Sequence, residues 1–459
     1  MPRTTSQRRH KSFRLFSAFG LALSSLLACG QYSEQDFSTE ISAIKAAPKP
    51  PQGFPAEVWT QLLTMSPLPE VPADLTNAVA DECDAADLGQ RFFFDPRFSG
   101  ALVVESDLGL AGEVGKVSCA SCHAGDMMDD RRSSVRTVSI GANFHTRNAP
   151  GIVNSSFYTW TNWGGRFSAQ WELPLPVTES GVIMNGSRLQ TAHVIFEFHR
   201  KRYERIFGTL SLDLADTTRF PLTGKPKATA EAANGAWELM SSDDRALVNE
   251  IFVNYGKALG AYFRRLTSGD SPFDRFMAGK KNALGDAAQR GAQLFVGKAR
   301  CSGCHNGPTF TDNRFHNLGV PQTGDHVPAS DDGQFKDVPP LLTSAFNSAG
   351  VYSDAPEVGA ARLAGLTNPM PESTRGMFRT PGLRGVALSE PYMHSGQLAT
   401  LEEVIDFYDA GGGTAVSGTK SPFLIPLGLS SDEKADLLAF LYSLTGKQVS
   451  AKYRTSPRP

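Results

Sequence analysis

The chain has 459 residues, of which 41% are hydrophobic, and a formal net charge of -2. That length buries a sizeable core in two or three domains. The near balance of charge leaves no electrostatic case for nucleic-acid binding.

From the N-terminus, Arg3, Arg8, Arg9, Lys11 and Arg14 form a basic stretch, and Leu15 to Leu27 is mostly apolar. The apolar run is short for a membrane span, so residues 1–28 read as a signal peptide. Leu26-Leu27-Ala28-Cys29 resembles a bacterial lipobox, at which Cys29 takes the lipid. An ordinary signal peptide cleaved nearby is the alternative. Residues 29–75 are rich in Pro, Ala, Ser and Gln, including Pro48, Pro50 and Pro51, and predict a flexible tether.

A short helix with an apolar face is predicted from Ala86 to Phe94, followed by a loop into Cys119-Ala120-Ser121-Cys122-His123. Gly224 to Gly235 reads as a polar loop. Asp244 to Leu266 predicts a longer helix whose Ile251, Phe252, Tyr255, Leu259, Tyr262 and Phe263 serve the core. Ser268 to Gly285 reads as a connection. Asp286 to Phe295 is a second short helix, with Ala287, Gly291, Leu294 and Phe295 on one side, running into Cys301-Ser302-Gly303-Cys304-His305. Ser430 and Glu433 have capping-box spacing ahead of a stripe of Leu437, Leu438, Leu441 and Leu444, which Gly446 ends. Few strands are evident, so the fold class is mainly α.

The two pentapeptides carry the chemistry. Both read C-x-x-C-H, the attachment signature of a c-type haem. Two thiols on one helical turn add to the two porphyrin vinyls, and the next residue offers an imidazole to the iron. A redox cysteine pair, a disulfide and half a zinc site are the competing readings. Zinc would want a second ligand pair at each site, and the two pairs here are far apart in sequence. Two covalent haems are therefore expected, attached at Cys119, Cys122, Cys301 and Cys304, with His123 and His305 as iron ligands. With Cys29 acylated, only Cys83 is left over, and it reads as a buried small residue. Covalent haem attachment follows export, so the expected place is the cell envelope, facing the periplasm. Gly30 after the lipidated cysteine leaves outer-membrane sorting open.

Further stretches resemble the bacterial di-haem cytochrome c peroxidase and MauG family, in order over about residues 80 to 446. They include Leu88-Gly89-Gln90-Arg91-Phe92-Phe93-Phe94-Asp95-Pro96, Arg147-Asn148-Ala149-Pro150 and Trp163-Gly164-Gly165-Arg166. Ser271-Pro272-Phe273-Asp274-Arg275, Phe378-Arg379-Thr380-Pro381-Gly382-Leu383-Arg384, Pro391-Tyr392-Met393-His394-Ser395-Gly396 and Thr400-Leu401-Glu402-Glu403-Val404 follow. The resemblance implies two cytochrome c-like domains with one haem each, here residues 76–270 (peroxidatic) and 271–459 (electron transfer). It makes Trp163 the residue between the haems, and Asn148 with the backbone oxygens of Ser389 and Pro391 the ligands of a calcium ion.

Two departures matter. Where the peroxidases place a methionine as distal ligand of the C-terminal haem, this chain has Tyr408, as in MauG-type proteins; Met393 or Met377 is the alternative ligand. A thioether favours ferrous iron and raises the potential, so tyrosine implies a low-potential haem. The second departure is at the peroxide site, where the family glutamate is replaced by Ile183, just before Met184. Isoleucine moves no proton. Glu179 is the preferred substitute, Glu172 a second, and His145 stands on the loop before Asn148. Three functions follow. The first is a peroxidase that reduces hydrogen peroxide with electrons from a small c-type cytochrome or cupredoxin. The second is a MauG-type enzyme that oxidises a partner protein. The third is a non-enzymatic two-haem electron carrier.

Overall fold

Two helix crossings organise the molecule, and each is made close by a glycine. The computed structural model describes residues 48–227 and 235–457. The leader, Cys29, the first part of the expected tether and most of the 224–235 loop lie outside the described residues. The helices are α1 (Ala56–Leu63), α2 (Cys83–Phe94), α3 (Cys119–Cys122), α4 (Pro174–Glu179), α5 (Arg188–Val194), α6 (Arg200–Phe207) and α7 (Ser242–Phe263). They continue as α8 (Pro272–Met277), α9 (Asp286–Val296), α10 (Gln334–Thr343), α11 (Pro356–Leu363), α12 (Leu401–Asp409), α13 (Ser431–Ser443) and α14 (Ala451–Arg454). β1 (Phe315–His316) pairs antiparallel with β2 (Phe378–Arg379), with Phe315 opposite Arg379.

Helix α2 crosses α7 at Gly89, where an added Cβ would lie 1.9 Å from the Ala258 carbonyl oxygen. Helix α9 crosses α13 at Gly291, where a Cβ would lie 1.9 Å from the Asp436 carbonyl oxygen. Any side chain at either position forces the helices apart, so the two helices that precede the pentapeptides are held by the same device. The capping box of α13 forms as expected: Glu433 N–H donates to Ser430 Oγ at 3.2 Å and Ser430 N–H to Glu433 Oε2 at 2.8 Å.

Each crossing anchors a hydrophobic core. The first gathers Phe92, Phe93, Trp171, Phe252, Tyr255 and Leu259; the second gathers Phe273, Phe295, Phe310, Phe440, Leu441 and Leu444. From Lys45 to the end the chain forms one compact unit.

Several expectations need correction. The tether is too long as drawn: Phe54, Trp59, Leu62 and Met65 are buried in the second core. Their burial returns more than a polar linker would, since each large apolar side chain removed from water contributes about 1.5–3 kcal/mol. The connection 268–285 contains α8, started by a second capping box, Ser271 with Asp274. A cut at residue 270 does not separate the cores, because the N-terminal α1 region joins the second and Val449, with Tyr453 against it, joins the first. Cys83 is half-buried at the start of α2 and disulfide-bonded, so it is neither a buried small residue nor a lone thiol.

Candidate cofactor cavities

The first pentapeptide occupies α3, a single turn closed by a capping box between Ser118 and Ser121. Residues three apart on such a turn share a face, which brings Cys119 and Cys122 together. His123 then leaves the helix at φ -128°. Its Nδ1 lies 2.9 Å from the Met128 carbonyl oxygen. With the proton on Nδ1 and donated to that carbonyl, Nε2 keeps its lone pair for a metal. Burial holds the ring below its usual pKa, which also favours the neutral, ligating form.

The second pentapeptide repeats the arrangement on a 3-10 turn, Cys301–Gly303. His305 Nδ1 lies 3.1 Å from the Phe310 carbonyl oxygen, and burial again lowers its pKa. Both carbonyls come from the fifth residue after the histidine, and both of those residues are left-handed, with φ 50° at Met128 and 56° at Phe310. The positive φ turns each loop back so that its carbonyl meets the ring.

Each motif lines a cavity with mainly apolar walls. Cys301, Cys304 and His305 face one of 570 Å³, together with Tyr408, Met393 and His394. Cys119, Cys122 and His123 face a narrower one of 140 Å³, together with His145, Asn148 and Ile183. Met377 is not in either wall, so Met393 is the methionine that stays beside Tyr408. Trp163 and Arg379 line both cavities. Trp163 Nε1 donates to the Asn148 carbonyl at 2.8 Å, and Arg379 N–H donates to the Trp163 carbonyl at 2.8 Å. Two thiol pairs, two imidazoles with a free Nε2 and apolar walls make a donor set that fits two c-type haems.

The residues of the expected calcium site also fit a hard cation. Asn148 Oδ1 is buried without a hydrogen-bond partner, and a buried acceptor left bare calls for a cation or a water. Gly396 sits against both Asn148 and Pro391: a Cβ there would lie 2.4 Å from Asn148 Nδ2 and 3.2 Å from Pro391 Cγ. Arg131 braces the 388–391 loop by pairing with the Glu390 carboxylate and donating to the Leu388 carbonyl at 2.5 Å.

The glutamates do not reach the narrow cavity. Glu179, the preferred proton carrier, ends α4 and is clamped by Arg188, whose Nε and Nη2 donate to its two oxygens at 2.8 and 2.7 Å. It is absent from the wall, as is Glu172, which accepts from Ser168 N–H and Oγ at 2.8 and 2.7 Å. Burial pushes the Glu172 carboxyl up to about 7, but away from the cavity. The expectation for Glu179 is thereby corrected: its charge is spent on a bidentate ion pair. Ile183 is in the wall, and no Asp or Glu is. His145 is there instead: its Nδ1 lies 3.2 Å from the Arg147 carbonyl oxygen and 3.1 Å from the Arg147 backbone nitrogen, so the ring meets a partner in either tautomer, and Nε2 has no protein partner among the described residues. Burial, then the Arg147 charge, lowers its pKa. Two wall residues that sequence reading left without a role are Arg379 and His394. Both stand inside the recognised stretches, so the positions were visible but not their direction.

Comparisons with known proteins agree with this donor set. A family model described as di-haem cytochrome c peroxidase matches residues 83–282. The chain is 33% identical over 390 residues to the cytochrome-c peroxidase IdrP1 of Denitromonas iodatirespirans, covering 83% of this chain and 86% of that protein. It is 29% identical over 381 residues to the methylamine utilization protein MauG of Methylorubrum extorquens, covering 82% of this chain and 81% of that one. Among solved structures, a MauG-like protein associated with microbial copper homeostasis aligns with TM-score 0.57 and 26% identity, over 89% of this chain and 99% of that one.

Proposed function

Because the chain belongs to the di-haem cytochrome c peroxidase and MauG family, whose oxidoreductases carry two c-type haems, we propose that it reduces hydrogen peroxide to water. The overall reaction takes two electrons and two protons per peroxide and yields two waters. When bound, the haems supply the redox-active iron. Peroxide is handled in the narrow cavity behind His123, and electrons from a small c-type cytochrome or cupredoxin enter beside His305.

The observation that carries this reading is the shared wall. Trp163 borders both cavities, and its indole, held by the Asn148 carbonyl, is the one aromatic ring among the described residues that lines both. An electron passing between the cavities has that π-system to use. The Met128 and Phe310 carbonyls keep the two ligand imidazoles in one tautomer. His145 takes the work of the missing glutamate. It is neutral above its lowered pKa, and with its proton on Nδ1, donated to the Arg147 carbonyl, Nε2 accepts a proton from one peroxide oxygen and returns it to the other. Asn148, Ser389 and Pro391 hold calcium behind this loop.

MauG-type oxidation of a partner protein is the second reading, and Tyr408 in the wall of the larger cavity favours it. A phenolate is a hard anionic ligand and favours ferric iron. The cell envelope is the proposed location, with residues 1–28 as the export signal.

The deciding experiment supplies the purified two-haem protein with peroxide and a reduced small c-type cytochrome. Sustained oxidation of the cytochrome is the expected result. A long-lived oxidised spectrum without turnover replaces this reading with the MauG-type one. No spectral response to peroxide removes both and leaves an electron carrier.

A further inference from the structure

Among the described residues, Arg379 is the one charged side chain that borders both cavities. It is 5% exposed, yet no carboxylate pairs with it among the described residues. Of the five other buried arginines, four hold carboxylates: Arg147 with Asp331 and Asp337, Arg188 with Glu179, Arg264 with Asp81, and Arg384 with Asp274; Arg265, which lines neither cavity, donates to the Asp81 carbonyl. Arg379 has the Thr380 carbonyl, 3.0 Å from Nη1, and Tyr158, whose ring lies 4.2 Å from its Cζ and whose side chain hydrogen-bonds it. Its Nε has no partner. β2 and the bond from its N–H to the Trp163 carbonyl fix its backbone beside that indole. A buried cation without a counter-charge is costly enough that native structures pair it. The missing anion therefore belongs to whatever fills the cavities.

We propose that Arg379 is a shared clamp for carboxylates, taking one propionate from each of the two haems. The guanidinium has five donors in a flat fork, the Thr380 carbonyl and Tyr158 engage two of them, and the unpartnered Nε is among those left for carboxylates. One fixed charge then acts on both irons and ties their potentials together. The proposal rests on the two-haem reading and not on peroxide chemistry, and its test uses no peroxide.

The test takes the full two-haem protein as parent, Arg379→Met and Arg379→Lys. Midpoint potentials of both haems are read by spectroelectrochemical titration, and the propionate bending bands by resonance Raman. In Arg379→Met both potentials are expected to fall, because losing the positive charge beside both carboxylates favours ferric iron. Arg379→Lys keeps the charge but not the fork, so the potentials stay near the parent's while the propionate bands of both haems shift. If Arg379→Met fails to load haem, the bands of Arg379→Lys decide. Unmoved bands and potentials overturn the proposal. A change confined to one haem overturns the sharing. Parent potentials that shift on adding chloride or phosphate also overturn it, because a free inorganic anion then fills the place.

Discussion

Replacing Asp274 by asparagine keeps the side-chain shape and removes one charge from a closed cluster. Asp274 sits in the first turn of α8. Its oxygens accept from Arg384 Nη1 at 2.7 Å and Nη2 at 2.9 Å, from Ser271 N–H at 2.9 Å and from Ser66 Oγ at 2.7 Å. Arg384 in turn donates to the Pro308 carbonyl at 2.5 Å and the Met65 carbonyl at 3.2 Å. Both partners of the pair are buried. Removing one leaves an unmatched guanidinium in the core, which costs about 3–5 kcal/mol. Unfolding entropy of ~2.1 cal/mol/K per residue, over the body from Lys45 to Pro459, makes each kcal/mol worth about 1.2 °C. The expected loss in Tm is therefore about 3–6 °C, read from the Soret band during a thermal melt. Pro308 lies between His305 and Phe310, so the same variant should disturb the larger-cavity haem spectrum at room temperature. Arg384 holds the folded Asp274 carboxyl below its usual pKa. Its stabilisation is thus complete above the unfolded carboxylate value of about 4 and fades as pH falls through the lower folded value, so parent and variant should converge in acid. A Tm within about 1 °C of the parent at neutral pH, with an unchanged spectrum, refutes the reasoning.

Three further outcomes are expected. His145→Ala should lower peroxide turnover by about 10²-fold or more at unchanged haem content. The parent rate should decline as pH drops through the lowered His145 value, a limb the variant lacks; equal rates and equal pH profiles remove His145 from the reaction. Tyr408→Phe should alter the spectrum of the larger-cavity haem, whereas Met393→Leu should not, and the reverse pattern makes Met393 the ligand. Chelating calcium should lower activity in the parent and have no effect in Asn148→Ala, with metal content followed by elemental analysis. A parent that carries no calcium refutes the site.

What the sequence made legible was local. C-x-x-C-H is a covalent requirement compressed into five residues, and the capping box at Ser430 and Glu433 is a hydrogen-bond pattern within one turn, which forms as expected. The α1 region was misread because prolines at 48, 50 and 51 dominate the composition, although Phe54, Val58, Trp59 and Leu62 keep helical spacing. The box at Ser271 and Asp274 carried the same signal as the one at Ser430 and was passed over as part of a recognised stretch. Glu179 failed for a different reason. Its distance from Met184 along the chain says nothing about which way α4 turns, and Arg188, nine residues on, decides it. Trp163 and Arg379 are more than two hundred residues apart, and only a long-range backbone bond reveals them as neighbours.

The crossing of the chain ends bears on biogenesis. The α1 region closes the core around α9 and α13. The other end docks on the opposite lobe, where Gln90 Nε2 donates to the Lys452 and Thr455 carbonyls at 2.6 and 2.8 Å and Arg454 pairs with Asp126 at 2.8 Å. Each lobe is thus sealed by a strap from the far end of the polypeptide. In synthesis from the N-terminus, the first lobe stays unlatched until residues 449–455 have been made. Neither lobe made alone carries its own latch.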